Sequence, residues 1–264
     1  LDLSLYEATD GHMPALSAES IQGVASVFVI NTRQEGGVLG RNLTHSMLDT
    51  LGRAIVTGRY DDRPFPTEAE IAKTHGVSRS VTREAVKMLT AKGLVDTRPR
   101  QGITVQPTSA WNLFDADVLD WLLDRKFSVD LLRQFNQLRL GIEPQAAALA
   151  AIFHDQAGLD HLEAGLEAMR ASEMGEGDPL EADIAFHVAV LNCSGNPFYL
   201  QFRDVVATAL RTSIRFTNRI KGHTASIPDH AAVASAIAEG DAEKARAAMQ
   251  RIIGDVLELI PPKA

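Results

Sequence analysis

The chain has 264 residues, 45% of them apolar and 23% charged, with a formal net charge of −8. That length suits two small domains or one large one, and that balance excludes disordered, collagen-like and coiled-coil classes. No run of about 18 consecutive apolar residues is present, which excludes a membrane-spanning helix. The lone cysteine, Cys193, has no internal disulfide partner and fits a reducing cytoplasm. No basic stretch precedes an apolar run at the start, so no secretory signal is expected.

The charge is unevenly spread. Residues 41–105 carry 11 Lys and Arg against 7 Asp and Glu, residues 106–264 carry 14 against 22, and residues 1–40 carry 1 against 5. A basic block beside an acidic bulk points to one module that faces an anion and another with a different task. Residues 1–40 show no helical period and are expected to form a poorly ordered arm, with Ile21 to Ile30 long enough for a short strand.

From Arg41 the pattern becomes helical. Leu43, Met47, Leu51, Ile55 and Val56 share one face, and Gly58 ends the run. Thr67-Glu68-Ala69-Glu70 reads as a capping box opening a short helix that Gly76 stops. Ser78 can cap the next helix, which carries Val81, Ala85, Val86, Met88 and Leu89 and closes at Gly93. Two short strands, Leu94 to Thr97 and Ile103 to Val105, flank the basic tip Arg98-Pro99-Arg100-Gln101-Gly102. This order predicts a winged helix-turn-helix over 41–107. Its second helix can enter a major groove, with Ser78, Arg79, Ser80 and Arg83 toward its N-terminus and Lys87 one turn on. Arg79 and Arg83 are four apart and point the same way, as two residues reading one duplex must.

Those residues also carry a resemblance. Phe65 to Ala72, Gly76-Val77-Ser78-Arg79-Ser80-Val81-Thr82-Arg83-Glu84-Ala85, Gly93-Leu94-Val95 and Gln101-Gly102 resemble the N-terminal domain of GntR-family transcription regulators. The resemblance implies a contact surface of Thr67, Glu68, Ser78, Arg79, Ser80, Thr82, Arg83, Arg98, Arg100 and Gly102 on double-stranded operator DNA. Arg79 and Arg83 would read base edges, with Thr82, Arg98 and Arg100 on phosphates. The family often places an arginine after the glutamate that is Glu68 here; this chain has Ala69, so one contact is missing.

After Pro107 the chain turns acidic and wholly helical, with expected helices near 115–125, 128–153, 157–173, 179–194, 197–219, 228–239 and 241–259. The fold class is therefore mainly α, a winged helix-turn-helix followed by an all-α bundle of six or seven helices over 108–264. Asp183 and His187 lie one helical turn apart and can grip one metal ion, or form an ordinary surface pair. Asn192-Cys193-Ser194-Gly195-Asn196-Pro197, Asp229-His230 and Gly240-Asp241 with Ala245 and Met249 resemble the FCD effector domain of the FadR branch.

That resemblance implies a homodimer, a ligand buried in the bundle, and a divalent metal such as zinc or nickel held by an aspartate and three histidines. The aspartate and two histidines map to Asp183, His187 and His230. The third falls on Ile252, which cannot ligate, so the shell drops to three protein donors; His223 has no evident reason to replace it. Arg139 stands where the family has a cavity-facing arginine suited to a carboxylate, or it forms a structural pair with Glu143. Arg211 and Arg215 share a later helical face and either add positive potential to the site or are surface charge.

Trp111-Asn112-Leu113-Phe114-Asp115-Ala116-Asp117-Val118-Leu119, together with the missing histidine, resembles the galactonate-type regulators of sugar-acid catabolism. The expected protein is a ligand-released repressor of a catabolic operon with a sugar acid as effector; lactate, an amino acid or acyl-CoA are the alternatives on this scaffold. A metal-assisted hydrolase or lyase built on Asp183, His187 and His230 lacks a visible general base, and Cys193 has no activating partner. A purely structural helical protein would leave the basic helix-turn-helix without a use.

Overall fold

A computed structural model describes residues 43–98, 102–126, 128–220 and 225–260, with the side chains of 214–220 left aside. The expected arm over 1–40 and the wing-tip residue Arg100 lie outside the described residues, as does His223.

The chain opens with α1 (Leu43–Val56), which buries Met47, Leu48, Leu51 and Ile55 on one face. In α2 (Glu68–His75) the capping box forms as the sequence predicts. The Thr67 hydroxyl accepts from the Glu70 amide at 3.3 Å, and the Glu70 carboxylate accepts from the Thr67 amide at 2.8 Å. Ser78 caps α3 (Arg79–Ala91), whose inner face carries Thr82, Ala85, Val86 and Leu89. Strands β1 (Val95–Arg98) and β2 (Gly102–Val105) pair antiparallel, with Val95 opposite Val105 and Arg98 opposite Gly102. Leu48, Leu51, Ile71, Leu89 and Leu94 fill the centre of this module, each contributing about 1.5–3 kcal/mol by leaving water.

Gly93 ends α3 in the left-handed region at φ 76°, and a Cβ there would stand 2.2 Å from the Ala110 carbonyl oxygen. Only glycine lets the segment after the wing pass this close, and the Asn112 amide donates to the Lys92 carbonyl at 2.9 Å beside it. The chain then enters α4 (Ala116–Leu122), capped by Asp115, and the bundle proper. The bundle consists of α5 (Val129–Phe153), α6 (Gln156–Glu173), α7 (Pro179–Cys193), α8 (Pro197–Leu200), α9 (Arg203–Ile220), α10 (Ile227–Ala238) and α11 (Ala242–Leu259). Its core is rich in small residues, among them Ala146, Ala147, Ala150, Ala189, Ala236 and Ala245 around Phe186, Leu162 and Met249.

The single helix expected over 197–219 is two, α8 and α9. Gln201 and Phe202 leave the α-helical path, and their amides donate three residues back to Phe198 and Tyr199. No glycine or proline marks that break. Phe202 packs edge-on against Phe114 at 5.7 Å between ring centroids, a contact decided by distant packing and silent in the local pattern.

The winged module and the bundle share apolar packing. Val118, Leu119 and Trp121 of α4, Phe135 of α5, and Val205 and Ala209 of α9 join the cluster that contains Leu51 and Leu89. Trp121 lies against Gly52, with its Nε1 donating to Asp49 at 2.9 Å. Arg53 bridges Asp49 and Asp120, and Lys92 meets Asp115 and Asp117 at 2.7 Å each.

A Cβ at position 52 would fall 2.3 Å from the Trp121 ring. Gly52→Ala should therefore lower the stability measured by urea unfolding by about 1–3 kcal/mol, although alanine is the better helix former. A stabilised variant would show that Trp121 yields freely.

Candidate functional site

Two places in the structure gather polar side chains with a purpose other than packing. The first is the exposed face formed by the start of α3, the start of α2 and the wing. Ser78, Arg79, Ser80 and Arg83 are exposed there, and the Ser78 and Ser80 hydroxyls share a hydrogen bond at 2.9 Å. Arg83 reaches toward Glu68 at 3.6 Å while remaining largely in solvent. A cleft between α2 and the wing is lined by Thr67, Glu68, Thr97, Arg98 and Gly102. Arg98 projects from β1 and is loosely held by Asp96 at 2.8 Å. Exposed pairs of this kind are worth little in water, so these guanidiniums can exchange partners at small cost.

Thr82 departs from the expectation of a phosphate contact. It is fully buried and its hydroxyl donates to the Ser78 carbonyl at 3.3 Å. Its position on α3 falls on the core face beside Ala85 and Val86.

The second place lies inside the bundle. Asp183 and His187 project from α7, His230 from the first turns of α10, and Asn136, Arg139 and Glu143 from α5; all six are buried, Glu143 completely. Burying an ion is expensive unless it is paired and hydrogen-bonded, and Arg139 and Glu143 are both. Arg139 Nε donates to Glu143 Oε1 at 2.6 Å. Glu143 Oε2 meets His187 Nδ1 at 2.5 Å. Arg139 Nη1 donates to the Asn136 side-chain oxygen at 3.4 Å, and Asn136 in turn donates to Ser213 of α9 at 3.2 Å. The Phe186 ring stands edge-on to both imidazoles, with centroids at 6.0 Å from His187 and 5.0 Å from His230.

The ion pair with Glu143 is thus the geometry Arg139 adopts, and its guanidinium is engaged by a carboxylate of its own helix. Arg211 lies on the outside, paired with Glu181 at 3.0 Å; the Arg215 side chain lies outside the described residues. Ile252 is half-buried and packs against the bundle core.

Asp183 Oδ1, His187 Nε2 and His230 Nε2 converge. Oδ1 is 3.1 Å from His230 Nε2 and 3.5 Å from His187 Nε2, and the two nitrogens are 3.4 Å apart. Neither nitrogen is aligned to donate to Oδ1, which is buried without a hydrogen bond among the described residues. His230 Nδ1 lies 2.7 Å from the Ser226 carbonyl, which can only accept, so Nδ1 carries the hydrogen and the neutral ring offers Nε2 as a lone pair. A buried carboxylate oxygen facing two imidazole nitrogens can hold a cation. All three donor atoms lie within 4.8 Å of one another, and two nitrogens with one oxygen suit zinc or nickel. The residues present therefore fit a divalent transition metal with three protein ligands and open positions.

The charges respond to this crowding. Burial pushes the Glu143 carboxyl up, but Arg139 and His187 outweigh it and hold it at about 2. Burial also opposes ionisation of Asp183, yet His187 and His230, when protonated, hold it well below the usual carboxylate range. His187 is lowered by burial and by Arg139 but raised more by Glu143 and Asp183, for a net upward shift. Cys193, by contrast, is pushed up to about 11 by burial and by Asp155, which leaves an inert thiol.

Glu143 and Asn136 are the members the sequence reading did not place in the centre. Their signal was available in part, as a glutamate four residues after an arginine at the head of an alanine-rich apolar run.

A basic winged helix-turn-helix joined to a helical bundle with a buried polar centre defines a DNA-binding transcription regulator. Residues 45–105 match the family of bacterial regulatory proteins named gntR, and residues 134–255 match the FCD domain. Two Escherichia coli K12 proteins are similar over most of their length. The galactonate operon transcriptional repressor is 32% identical over 80% of this chain and 94% of its own. The uncharacterized HTH-type transcriptional regulator YieP is 33% identical over 81% and 93%. The solved structure of Lar of Listeria monocytogenes has the same fold at a TM-score of 0.56 and 20% identity, covering 83% of this chain and 97% of that one. This chain belongs to the GntR family of transcription regulators, with an FCD domain behind its DNA-binding domain; it is not an enzyme.

Arg139→Ala strands the Glu143 carboxylate and should cost about 3–5 kcal/mol in urea unfolding at neutral pH. In the wild type the stability that Glu143 contributes is present above its unfolded value of 4.5 and is lost as the pH falls toward about 2. Without Arg139 the carboxyl protonates earlier, so the deficit should narrow on mild acidification; an equal deficit at every pH would argue against an ionised Glu143.

Proposed function

We propose that this regulator is a homodimeric repressor of a sugar-acid catabolic operon, released from its operator when an aldonate such as galactonate binds in the bundle. The observation that carries this reading is the buried Asp183, His187 and His230 cluster, whose carboxylate oxygen lacks a hydrogen bond. A helical core rich in alanine has no packing need for such a group. The similarity to the galactonate operon repressor supports the choice of ligand class.

On this reading Asp183, His187 and His230 hold a zinc or nickel ion that supplies a Lewis-acidic centre for oxygen donors. With Ile252 in place of a fourth protein ligand, a carboxylate and its neighbouring hydroxyl are well matched to the open positions. Arg139, engaged by Glu143, adds positive charge beside His187 and does not serve as a free clamp. Two winged modules would straddle a pseudo-palindromic operator, each inserting α3 with Arg79 and Arg83 toward the bases and Arg98 and Arg100 on phosphates. Effector and operator then bind the same dimer with opposed preferences, and each lowers the affinity for the other by the same factor.

Arg83→Ala should weaken specific binding to the DNA preceding the regulator's own gene by about 1–3 kcal/mol in a mobility-shift titration. Undiminished affinity removes Arg83 from base reading. A thermal-unfolding screen against aldonic and uronic acids should show one acid raising the midpoint by mass action. The shift should vanish with EDTA or in His230→Ala, and that acid should dissociate the operator complex. A shift with lactate or acyl-CoA alone overturns the sugar-acid reading and leaves the regulator intact.

A further inference from the structure

We propose that Glu143 is a positioning residue for the metal centre. By accepting the Nδ1 hydrogen of His187 it holds that ring with its Nε2 lone pair turned toward Asp183 and His230, and so sets the affinity of the site for a divalent transition metal. This inference rests on the reading that Asp183, His187 and His230 hold a metal.

The geometry divides the work of the carboxylate. Oε1 receives Arg139 Nε at 2.6 Å, and Oε2 lies 2.5 Å from His187 Nδ1. Arg139 therefore anchors the carboxylate, and the carboxylate anchors the ring. An ionised carboxylate can only accept, so the His187 nitrogen facing it is the one bearing hydrogen, which leaves Nε2 as the ligand atom. Arg139 Nη2 is 3.3 Å from both ring nitrogens. A donor in line with one nitrogen's lone pair would be much farther from the other, so Nη2 rests against the ring and does not compete for Nε2.

His230 is set in the same sense by a different group. Its Nδ1 lies 2.7 Å from the carbonyl of Ser226, the residue that caps the start of α10. Both imidazoles are thus turned by an acceptor on one side to present Nε2 on the other, and both Nε2 atoms face the unsatisfied Asp183 oxygen. The two supports differ in kind. The Ser226 carbonyl belongs to the helix backbone and comes with the formation of α10. Glu143 is a side chain from another helix, completely buried, and so is the adjustable part of the centre. A charged acceptor also raises the basicity of the imidazole it holds, which strengthens its bond to a metal.

The test is zinc affinity of the full-length protein, measured by competition with a chromophoric chelator, with folding followed separately by far-ultraviolet circular dichroism. His230→Ala, which removes a ligand, serves as the reference for a broken site. Glu143→Gln should weaken zinc binding about 10- to 100-fold. Gly52→Ala, which disturbs the packing on Trp121 outside the centre, should lose stability while keeping zinc affinity within about threefold of wild type. A purely structural Glu143 would make the two variants lose stability together with no difference in zinc affinity, and that result overturns the proposal. A wild-type protein that binds zinc no better than His230→Ala overturns the metal reading itself. Should Glu143→Gln fail to fold, isotopically labelled wild-type protein loaded with cadmium gives the answer directly. Metal coupling to His187 Nε2 is expected, and coupling to Nδ1 overturns the assignment.

Discussion

Glu143 carries a negative charge at a position with no access to water, and the centre of the bundle is organised around neutralising it. A lone buried carboxylate would cost several kcal/mol. Arg139, one helical turn away, supplies a guanidinium, and His187 supplies a ring N–H from α7. Those two partners are themselves polar and buried: Arg139 donates on to Asn136, while His187 Nε2 faces Asp183 without a hydrogen bond. The demand for satisfaction thus propagates from one side chain through α5, α7, α9 and α10. It stops at Asp183 Oδ1, which among the described residues is left without a hydrogen bond.

The same helix that carries Glu143 also touches the DNA-binding module. Within one stretch of α5, Phe135 enters the apolar cluster with Trp121 and Leu51, while Asn136 and Arg139 enter the buried polar centre. Helix α9 repeats the arrangement, with Val205 and Ala209 in that apolar cluster and Ser213 hydrogen-bonded to Asn136. Two helices therefore have one end in each environment. Close-packed side chains transmit small displacements because they cannot absorb them as voids. The buried polar centre and α3 are thus connected by elements that share their packing, with α4 seated against α1 by Trp121 on Gly52.

Much of the winged module was legible in the sequence because its signals are local. A hydroxyl three residues ahead of a carboxylate, a glycine after the last apolar turn and a basic tip between two short apolar runs each depend on a few consecutive residues. Thr67, Gly76, Ser78 and Gly93 accordingly do what their positions imply. The helical period also placed Asp183 and His187 on one face. The hydroxyl of Thr82 suits a phosphate and the core face equally well, and only its burial on the same face of α3 as Ala85 and Val86 decides between them.

What the sequence determined by itself, then, is the order of elements, the exposed face carrying Arg79 and Arg83, and the Asp183–His187 pair on one face of α7. The tertiary structure decided which distant residues complete that pair. His230 arrives from α10 and Glu143 from α5, and Arg139 is committed to Glu143. The break between α8 and α9 belongs with these, since it accompanies the meeting of Phe202 with Phe114 far back in the chain. The reason is physical: caps, turns and helical faces follow from backbone geometry over a few residues, whereas the partner of a buried charge is whichever helix packing brings within hydrogen-bond reach.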